Sequence, residues 1–247
     1  MRLSRLFIDI PLAVGQEIVL AKESTHYLLN VLRQRIGTQV TLFNGQGGEY
    51  VAHLIAATKK NAHLQVTEYK NIERESTLQL TLVQAISRPE HMDYTMQKAV
   101  ELGVQRIVPI TTERSLTRNR EQRWRKIVIS ACEQCGRNRL PQLDNVLSLN
   151  AWLAEQSRSC CIVLSPTGKH ALNIQSLSGA KKNLTNLTVL IGAEGGLSEA
   201  EIEQTRQAGY LDIRLGPRIL RTETAAVTVL ALCQALWGDL QESGERS

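Results

Sequence analysis

From residue 77 onward the chain alternates apolar segments with amphipathic ones, and this rhythm constrains the fold more than any other feature. Residues 78–86, 106–110 and 160–164 have the composition of buried strands. Helical patterns lie between them, and the first, over residues 89–102, ends at Gly103. Such alternation predicts an α/β fold with a mostly parallel sheet and helices on both of its faces.

The first 70 residues have a different pattern, in which short strands are separated by turns. A helix is predicted over residues 24–35, and the run Gly45-Gln46-Gly47-Gly48 is a hairpin turn signal. The predicted strands cover residues 5–10, 17–20, 39–44, 49–57 and 62–69. This arrangement predicts a small β-barrel, and the polar stretch after it places a domain boundary between domains 1–72 and 73–247.

Two loops near the C-terminal end each follow a predicted strand and precede a predicted helix. They lie within residues 190–198 (LIGAEGGLS) and 215–225 (LGPRILRTETA). Ser198 and Glu201 have the spacing of a capping box, and Thr222 is the predicted cap of the last helix. Either loop alone is compatible with an ordinary strand-to-helix connection. Glycines and free helix N–H groups in two such loops together favour a ligand site.

The positive charge of the chain is concentrated in one segment. The net charge is +5, and the stretch from Arg114 to Arg139 holds eight basic residues and only two acidic ones. A local basic excess favours a polyanionic partner such as nucleic acid, although a solvated helix face is the alternative. Glu223, Arg218 and Arg221 flank the start of the last helix, where a ligand contact and a simple helix-dipole or ion-pair role both remain open.

Several function classes are disfavoured by motifs that the chain lacks. There is no nucleotide-binding P-loop, and the glycine-rich loop is not the dinucleotide fingerprint G-x-G-x-x-G. Cys132 and Cys135 form a C-x-x-C pair without a second pair, and the five histidines show no metal or triad pattern. We expect no metal, no membrane segment, reduced thiols and a cytoplasmic location.

Four motifs in order resemble the family of ribosomal RNA small subunit methyltransferase E (RsmE). They are residues 97–104 (QKAVELGV), 133–137 (EQCGR), 191–196 (IGAEGG) and 215–225 (LGPRILRTETA). The resemblance covers essentially the whole chain, and one departure is Ala193, where the family usually has proline. It implies methylation of N3 of a uridine in 16S rRNA of the small ribosomal subunit, with S-adenosylmethionine (SAM) as methyl donor.

The same resemblance implies a SPOUT-type fold, in which the C-terminal segments form a trefoil knot and SAM binds in the knot loops. It further implies a homodimer and a PUA-like N-terminal barrel that helps to bind the RNA of the 30S subunit. The implied cofactor-binding residues are Leu164, Ile191, Gly192, Glu194, Gly196, Leu215, Gly216, Ile219, Leu220 and Thr224.

Removal of the N3 proton requires a proton acceptor or stabilisation of the resulting anion. The candidate catalytic residues are Glu223, Arg221 and Arg137. The candidate RNA-binding residues are Arg5, Arg33, Arg88, Lys98, Arg114, Arg118 and Arg123. Alternative functions are a SPOUT methyltransferase that acts on another RNA such as tRNA, an RNA-binding assembly factor without turnover and, more remotely, a dinucleotide-dependent oxidoreductase.

Overall fold

The computed structural model describes residues 4–58, 61–155, 160–173 and 184–240. The chain forms two compact units: unit 1 comprises Met1–Glu75 and Cys132–Leu140, and unit 2 comprises Ser76–Ala131 and Pro141–Ser247. The structure thus adds to the first unit a segment from far along the chain, which no local pattern in the sequence indicated. The domain boundary at residue 72 stays a prediction.

Unit 1 is built on a five-stranded sheet with the spatial order β1-β3-β4-β5-β2. Its strands are β1 (Ser4–Phe7), β2 (Glu17–Val19), β3 (Gln39–Phe43), β4 (Glu49–Ala57) and β5 (Ala62–Lys70). Pairing is parallel between β1 and β3 and antiparallel between the other neighbours. All five predicted strands are confirmed, and their alternating apolar side chains form one buried core.

The predicted helix over residues 24–35 is wrong in its extent. The structure has a short helix α1 (Lys22–His26), followed by a π-helical turn (Tyr27–Val31) in which the Leu32 N–H bonds to the Tyr27 carbonyl. Arg33 then adopts a positive φ of 53°, which ends the helical path. The wider π turn is a tertiary adjustment that apolar spacing does not reveal.

Unit 2 alternates strands and helices as predicted. Its strands are β6 (Gln79–Ala85), β7 (Arg106–Thr111), β8 (Gln142–Leu143), β9 (Leu147–Ser148), β10 (Cys160–Leu164), β11 (His170–Ala171), β12 (Asn186–Ile191) and β13 (Leu211–Arg214). Its helices are α2 (Pro89–Glu101), α3 (Glu121–Cys135), α4 (Leu149–Ala154), α5 (Glu199–Gln207) and α6 (Thr222–Trp237), and the end of α3 belongs to unit 1.

The sheet of unit 2 has the order β11-β13-β10-β12-β6-β7-β8, and β9 pairs with β7. Its described strand pairs are all parallel, which confirms the predicted parallel sheet. The last strand, β13, lies between β10 and β11, although both precede it in the chain. The carboxyl ends of β10, β12 and β13 therefore meet at one edge of the sheet.

The start of α5 confirms the predicted capping box. The Glu201 N–H donates to Ser198 Oγ at 3.3 Å, and the Ser198 N–H donates to Glu201 Oε2 at 2.9 Å. The predicted cap of the last helix is wrong by one residue, because Arg221 is the N-cap and Thr222 is the first residue of α6. The Thr222 hydroxyl is engaged in tertiary hydrogen bonds instead.

Within the described residues, every helix is too short or too polar to cross a lipid bilayer. In the same residues, histidine, cysteine and carboxylate side chains form no group of three that could bind a metal ion.

Candidate functional site

Three connections leave the sheet edge at which β10, β12 and β13 end side by side. Loop A (residues 192–198) joins β12 to α5, and loop B (residues 215–221) joins β13 to α6. The third begins at Ser165, directly after β10. In open parallel sheets, ligands bind at the carboxyl ends of the strands, so this edge is the first place to look for a site.

A cavity of about 220 Å³ lies between these three connections. Most of the predicted cofactor residues line it: Leu164, Ile191, Gly192, Glu194, Gly196, Leu215, Ile219 and Leu220. The residues that the sequence analysis did not assign to the cofactor are Ser165, Pro166, Ala193, Gly195, Ile213, Arg214, Arg218, Thr222 and Ala225. Loops A and B therefore build one cavity, as their proximity in the sequence suggested.

Gly216 and Thr224 are the two predicted cofactor residues that do not line the cavity. On α6 the lining positions are Thr222 and Ala225, which are three residues apart and therefore share a helix face. Thr224 is exposed on another side of the helix. The helical period of 3.6 residues places Thr222 and Ala225 on the same face of α6. Predicting that this face lines the cavity requires the start of α6 to be known to within one residue.

Loop A is a tight turn whose backbone leaves no room for a side chain at Gly192. A Cβ atom there would lie 2.8 Å from the Gly196 carbonyl carbon and 2.9 Å from the Leu197 nitrogen. The turn is closed by the Gly196 N–H, which donates to the Ala193 carbonyl at 2.9 Å. The glycine at 192 is thus required by close backbone approach, and alanine at 193 keeps the turn.

A buried hydrogen-bond network joins loop A to the start of α6. Thr222 Oγ1 donates to the Gly192 carbonyl at 2.7 Å, and Gln84 Nε2 lies 3.1 Å from Thr222 Oγ1 and 3.4 Å from the same carbonyl. Gln84 is 0% exposed in strand β6. A buried amide is costly without such partners, so this network fixes the two walls of the cavity relative to each other.

A cluster of two carboxylates and one imidazole lies where loop A meets the first turn of α2. Glu194 Oε1 accepts a hydrogen bond from the Arg88 backbone N–H at 2.8 Å and lies 2.8 Å from His91 Nδ1. The same His91 nitrogen is 3.8 Å from Glu223 Oε2. That carboxylate oxygen is buried and has no hydrogen-bond partner among the described residues.

The electrostatics of this cluster favour an ionised Glu194. Burial acts to raise the pKa of Glu194, but hydrogen bonds from the backbone N–H groups of Arg88 and of Glu194 itself, together with His91, hold it below its ordinary value. His91 received no role from the sequence pattern. The signal that could have found it is Pro89, because a proline at a helix start after a strand places the next residues at the carboxyl edge of the sheet.

Loop B carries two exposed arginines. Arg218 lines the cavity, whereas Arg221, at the N-cap of α6, does not line it and has no ion pair in the described part of the chain. Arg114 extends over loop A and donates from Nη1 to the Gly195 carbonyl at 3.1 Å. A carbonyl does not neutralise a guanidinium, so all three arginines keep a positive charge that is available to a phosphate or an anionic base.

Arg137 lies in unit 1 and has an internal partner. It is 4% exposed, and its guanidinium binds both oxygens of Glu75, at 3.0 Å and 2.5 Å. Nearby, Arg139 pairs with Glu73 at 2.9 Å. The basic segment is therefore divided, because these arginines at its end are neutralised within unit 1 by the acidic stretch before β6.

The predicted RNA-binding residues divide into those without an ion pair in the described residues and those with an internal partner, and the paired Arg123 is itself exposed. Arg33, Arg88, Arg114 and Arg118 are exposed. Lys98 pairs with Glu101 at 2.8 Å, and Arg123 pairs with Asp93 at 2.5 Å. Arg5 is held by Glu49 at 2.6 Å and by Asn138 at 2.7 Å. The sequence shows the charge of each residue but not its partner, so it could not separate these groups.

The C-x-x-C pair has the character of ordinary packed thiols. Cys132 is buried, and burial raises its pKa to about 12. A thiol that stays protonated at neutral pH is a poor nucleophile and a poor metal ligand.

Comparison with protein families assigns both parts of the chain. Residues 74–234 match the family model described as "RNA methyltransferase domain", and residues 20–67 match "RNA methyltransferase PUA domain". A ribosomal RNA small subunit methyltransferase E from Buchnera aphidicola subsp. Schizaphis graminum is 34% identical over 247 residues, which covers 97% of this chain and 98% of the relative.

Two solved structures are similar over almost the whole chain. One is a Legionella pneumophila protein described as a methyltransferase, in complex with SAM; it has 36% identity and a TM-score of 0.90, and the match covers 97% of this chain and 100% of that one. The other is a ribosomal RNA small subunit methyltransferase E from Neisseria gonorrhoeae bound to SAM, with 36% identity, a TM-score of 0.88, and coverage of 96% and 99%.

The parallel sheet, the cavity at its carboxyl edge and the matched domains define the class as RNA methyltransferases with a PUA domain. Within that class, the chain belongs to the family of ribosomal RNA small subunit methyltransferase E. The resemblance seen in the four sequence motifs is thereby confirmed.

Proposed function

We propose that this chain binds SAM in the cavity between loops A and B and methylates N3 of a uridine in 16S rRNA. The observation that carries the proposal is the convergence of both loops on one cavity in a chain of this family. SAM is the molecule bound by the similar Legionella and Neisseria proteins.

The side chains and backbone groups that line the cavity suit the apolar and polar groups of SAM. Aliphatic side chains such as Leu164, Ile191 and Leu220 offer an apolar surface for an adenine ring. The backbone of loop A turns at Gly192 and Gly196 and offers amide groups for the polar edges. SAM supplies an activated methyl group, so this chain's own residues need to bind, orient and exclude water.

The uridine N3 that accepts the methyl group must lose a proton. We propose that Glu223 accepts this proton. Among the described residues its Oε2 has no hydrogen-bond partner, and the residue follows Thr222, which lines the cavity. We also propose that Arg221, at the adjacent N-cap position, stabilises the negative charge that develops on the base. We assign Arg137 no catalytic step, because its guanidinium is bound to Glu75.

The exposed arginines supply the proposed RNA contacts. Arg33, Arg88, Arg114 and Arg118 are exposed, and phosphate contacts of this kind provide salt-dependent affinity. The Watson–Crick edge that carries N3 must be unpaired for the reaction, so the target uridine has to be splayed out of its stack. We propose the assembled 30S subunit as substrate, which places the reaction in the cytoplasm, and a homodimer as the active form.

We also propose that the C-terminal segments form the trefoil knot of the SPOUT class. The support is the position of β13 between β10 and β11, with the connection after β10 lying against it. A Cβ atom on Gly168 would lie 2.6 Å from the Ile213 carbonyl carbon, so the two segments touch at their backbones. Experimental density that is continuous from residue 164 to residue 186 would test the threading.

The decisive experiment is methyl transfer from labelled SAM to 30S subunits that lack N3-methyluridine. Free 16S rRNA and tRNA are tested in parallel, and the modified nucleoside is identified by mass. We expect N3-methyluridine in 16S rRNA of the 30S subunit. Transfer to tRNA alone would favour another RNA substrate, and SAM binding without transfer to any RNA would contradict the proposal and favour an assembly factor.

Glu223→Ala tests the proton acceptor. We expect kcat to fall roughly a hundredfold while SAM affinity, measured by calorimetry, stays within about twofold. Glu199→Ala is the control, because Glu199 is also a first-turn carboxylate, on α5, but its side chain is exposed whereas Glu223 Oε2 is buried. Unchanged turnover in Glu223→Ala would show that another group accepts the proton.

A further inference from the structure

His91 connects two carboxylates that come from different parts of the chain. Its Nδ1 is 2.8 Å from Glu194 Oε1 in loop A and 3.8 Å from Glu223 Oε2 in the first turn of α6. The side chains of His91 and Glu223 are 22% and 15% exposed, so the contact is partly shielded from water. Neither the sequence motifs nor the cavity lining assigns a role to this histidine.

The two carboxylates differ in how they are held. Glu194 has a second donor, because the Arg88 backbone N–H binds the same oxygen at 2.8 Å. Glu223 Oε2 is buried and receives no hydrogen bond among the described residues, so the nearby His91 ring is its electrostatic partner. Two carboxylates beside one site repel each other, and a cation between them favours their ionised forms.

Other charged groups surround this cluster, and their own partners limit their effect on Glu223. On α2, Asp93 is paired with Arg123, and Glu90 is exposed. On loop A, Arg114 is bonded to the Gly195 carbonyl, and at the start of α6, Arg221 is exposed. The side chain of Arg88, at the N-cap of α2, is also exposed.

We propose that His91 is a positioning residue of the methyl-transfer site, which bridges Glu194 and Glu223 and holds the Glu223 carboxylate beside loop A. The inference rests on the proposed function, in which Glu223 accepts the proton that leaves the substrate base. His91 itself does not contact the substrate in this scheme.

Two substitutions separate the charge of His91 from its shape. His91→Lys keeps a cation throughout the range from pH 5.5 to 8.5, whereas His91→Gln keeps a hydrogen-bond donor for Glu194 but carries no charge. Without a positive group at position 91, the Glu223 carboxylate loses its electrostatic partner and is held less firmly. The matched control is His63→Gln, because His63 forms a similar pair with Glu17 at 2.6 Å in unit 1.

The measurement is kcat/KM for 30S subunits as a function of pH for the wild-type chain and these three variants. We expect His63→Gln to match the wild-type profile and His91→Lys to stay within about twofold of it. His91→Gln should lose roughly tenfold throughout the pH range, because the Glu223 carboxylate then lacks its electrostatic partner. SAM affinity of all variants should stay within about twofold.

Three results would overturn the inference. They are a His91→Gln profile equal to that of the wild type, an equal loss at every pH in both His91 variants, and a large loss of SAM affinity in His91→Gln. The last two would show that His91 only supports the structure of loop A. His91→Asn makes the same prediction if the glutamine variant does not fold. A wild-type chain that methylates no RNA would instead refute the proposed function, and this inference with it.

Discussion

Arginine side chains have opposite uses in the interior of unit 1 and in loop B of unit 2. In unit 1, Arg5 and Arg74 both bind Glu49, and Arg137 is paired with Glu75 in a largely buried position. In loop B, Arg218 and Arg221 are exposed and form no ion pair with the described residues. A paired arginine contributes to the fold, whereas an unpaired one at a cavity is available to a ligand. The comparison shows that the partner, and not the basic residue itself, decides the role.

The largest expected effect is on folding and tests the paired side of this comparison. Arg137→Ala leaves the Glu75 carboxylate without its partner, so the free energy of unfolding should fall by about 3 kcal/mol. Arg139→Ala is the control, since its side chain is 53% exposed, and should cost less than about 1 kcal/mol. Urea unfolding monitored by circular dichroism measures both. Similar losses in the two variants would contradict a special role for the buried pair.

The second-largest expected effect is on catalysis and tests the arginines that form no ion pair with the described residues. Arg221→Ala removes an exposed side chain, so the free energy of unfolding should change by less than about 0.5 kcal/mol. The rate constant kcat for methyl transfer should fall about a hundredfold, because a group that stabilises developing charge is lost. Arg221→Lys keeps the charge without the planar fork and should recover part of the rate. A large loss of stability in Arg221→Ala would remove the contrast with Arg137.

A smaller effect compares two threonines on α6. Thr222→Val removes a buried hydroxyl that donates to the Gly192 carbonyl, so it should cost about 1–2 kcal/mol of unfolding free energy and weaken SAM binding. Thr224→Val changes an exposed hydroxyl and should leave both quantities nearly unchanged. Calorimetry with SAM and thermal unfolding distinguish the two. Weaker binding in Thr224→Val would restore the cofactor role that the sequence analysis predicts for it.

The smallest effect is the dependence of stability on acid pH. Burial acts to raise the pKa of Glu49, but hydrogen bonds and attraction from Arg5 and then Arg74 hold it below the ordinary value of 4.5. The stabilisation is fully present above pH 4.5 and is lost as the pH falls through the lowered pKa. Glu49→Gln should therefore flatten the decline of stability below pH 4.5. An unchanged slope would show that Glu194 and Asp212, whose pKa values are also lowered, account for the decline.

Local patterns predicted most of the fold. Strand β4 (Glu49–Ala57) and strand β10 (Cys160–Leu164) have the predicted ends, and the capping box at Ser198 is confirmed. These features depend on residues that are close in the chain, so their spacing is enough to predict them. The π turn at Tyr27–Val31 was missed because it depends on how the segment packs against the core.

The sequence predicted only part of the candidate site. Its two loops are continuous segments of the chain, whereas its other side chains are brought there by the pairing of distant strands. Loop A and loop B are continuous segments, and their glycines and helix starts are visible in the sequence. The contribution of His91 and Gln84 depends on β6 lying beside β12, which brings the start of α2 to the same sheet edge. Pro89 marks His91 as lying at the start of a helix after a strand, but no residue near either side chain reveals that β6 pairs with β12.

The sequence by itself determined the order of strands and helices, the two glycine-bearing loops and the family to which the chain belongs. The tertiary structure alone decided which arginines are neutralised, which helix face lines the cavity and which histidine lies between two carboxylates. The physical reason is the separation along the chain over which each interaction acts. Periodicity, capping and turn formation act over a few residues, whereas charge pairing and burial depend on segments such as Glu75 and Arg137, or His91 and Glu223, that only folding brings together.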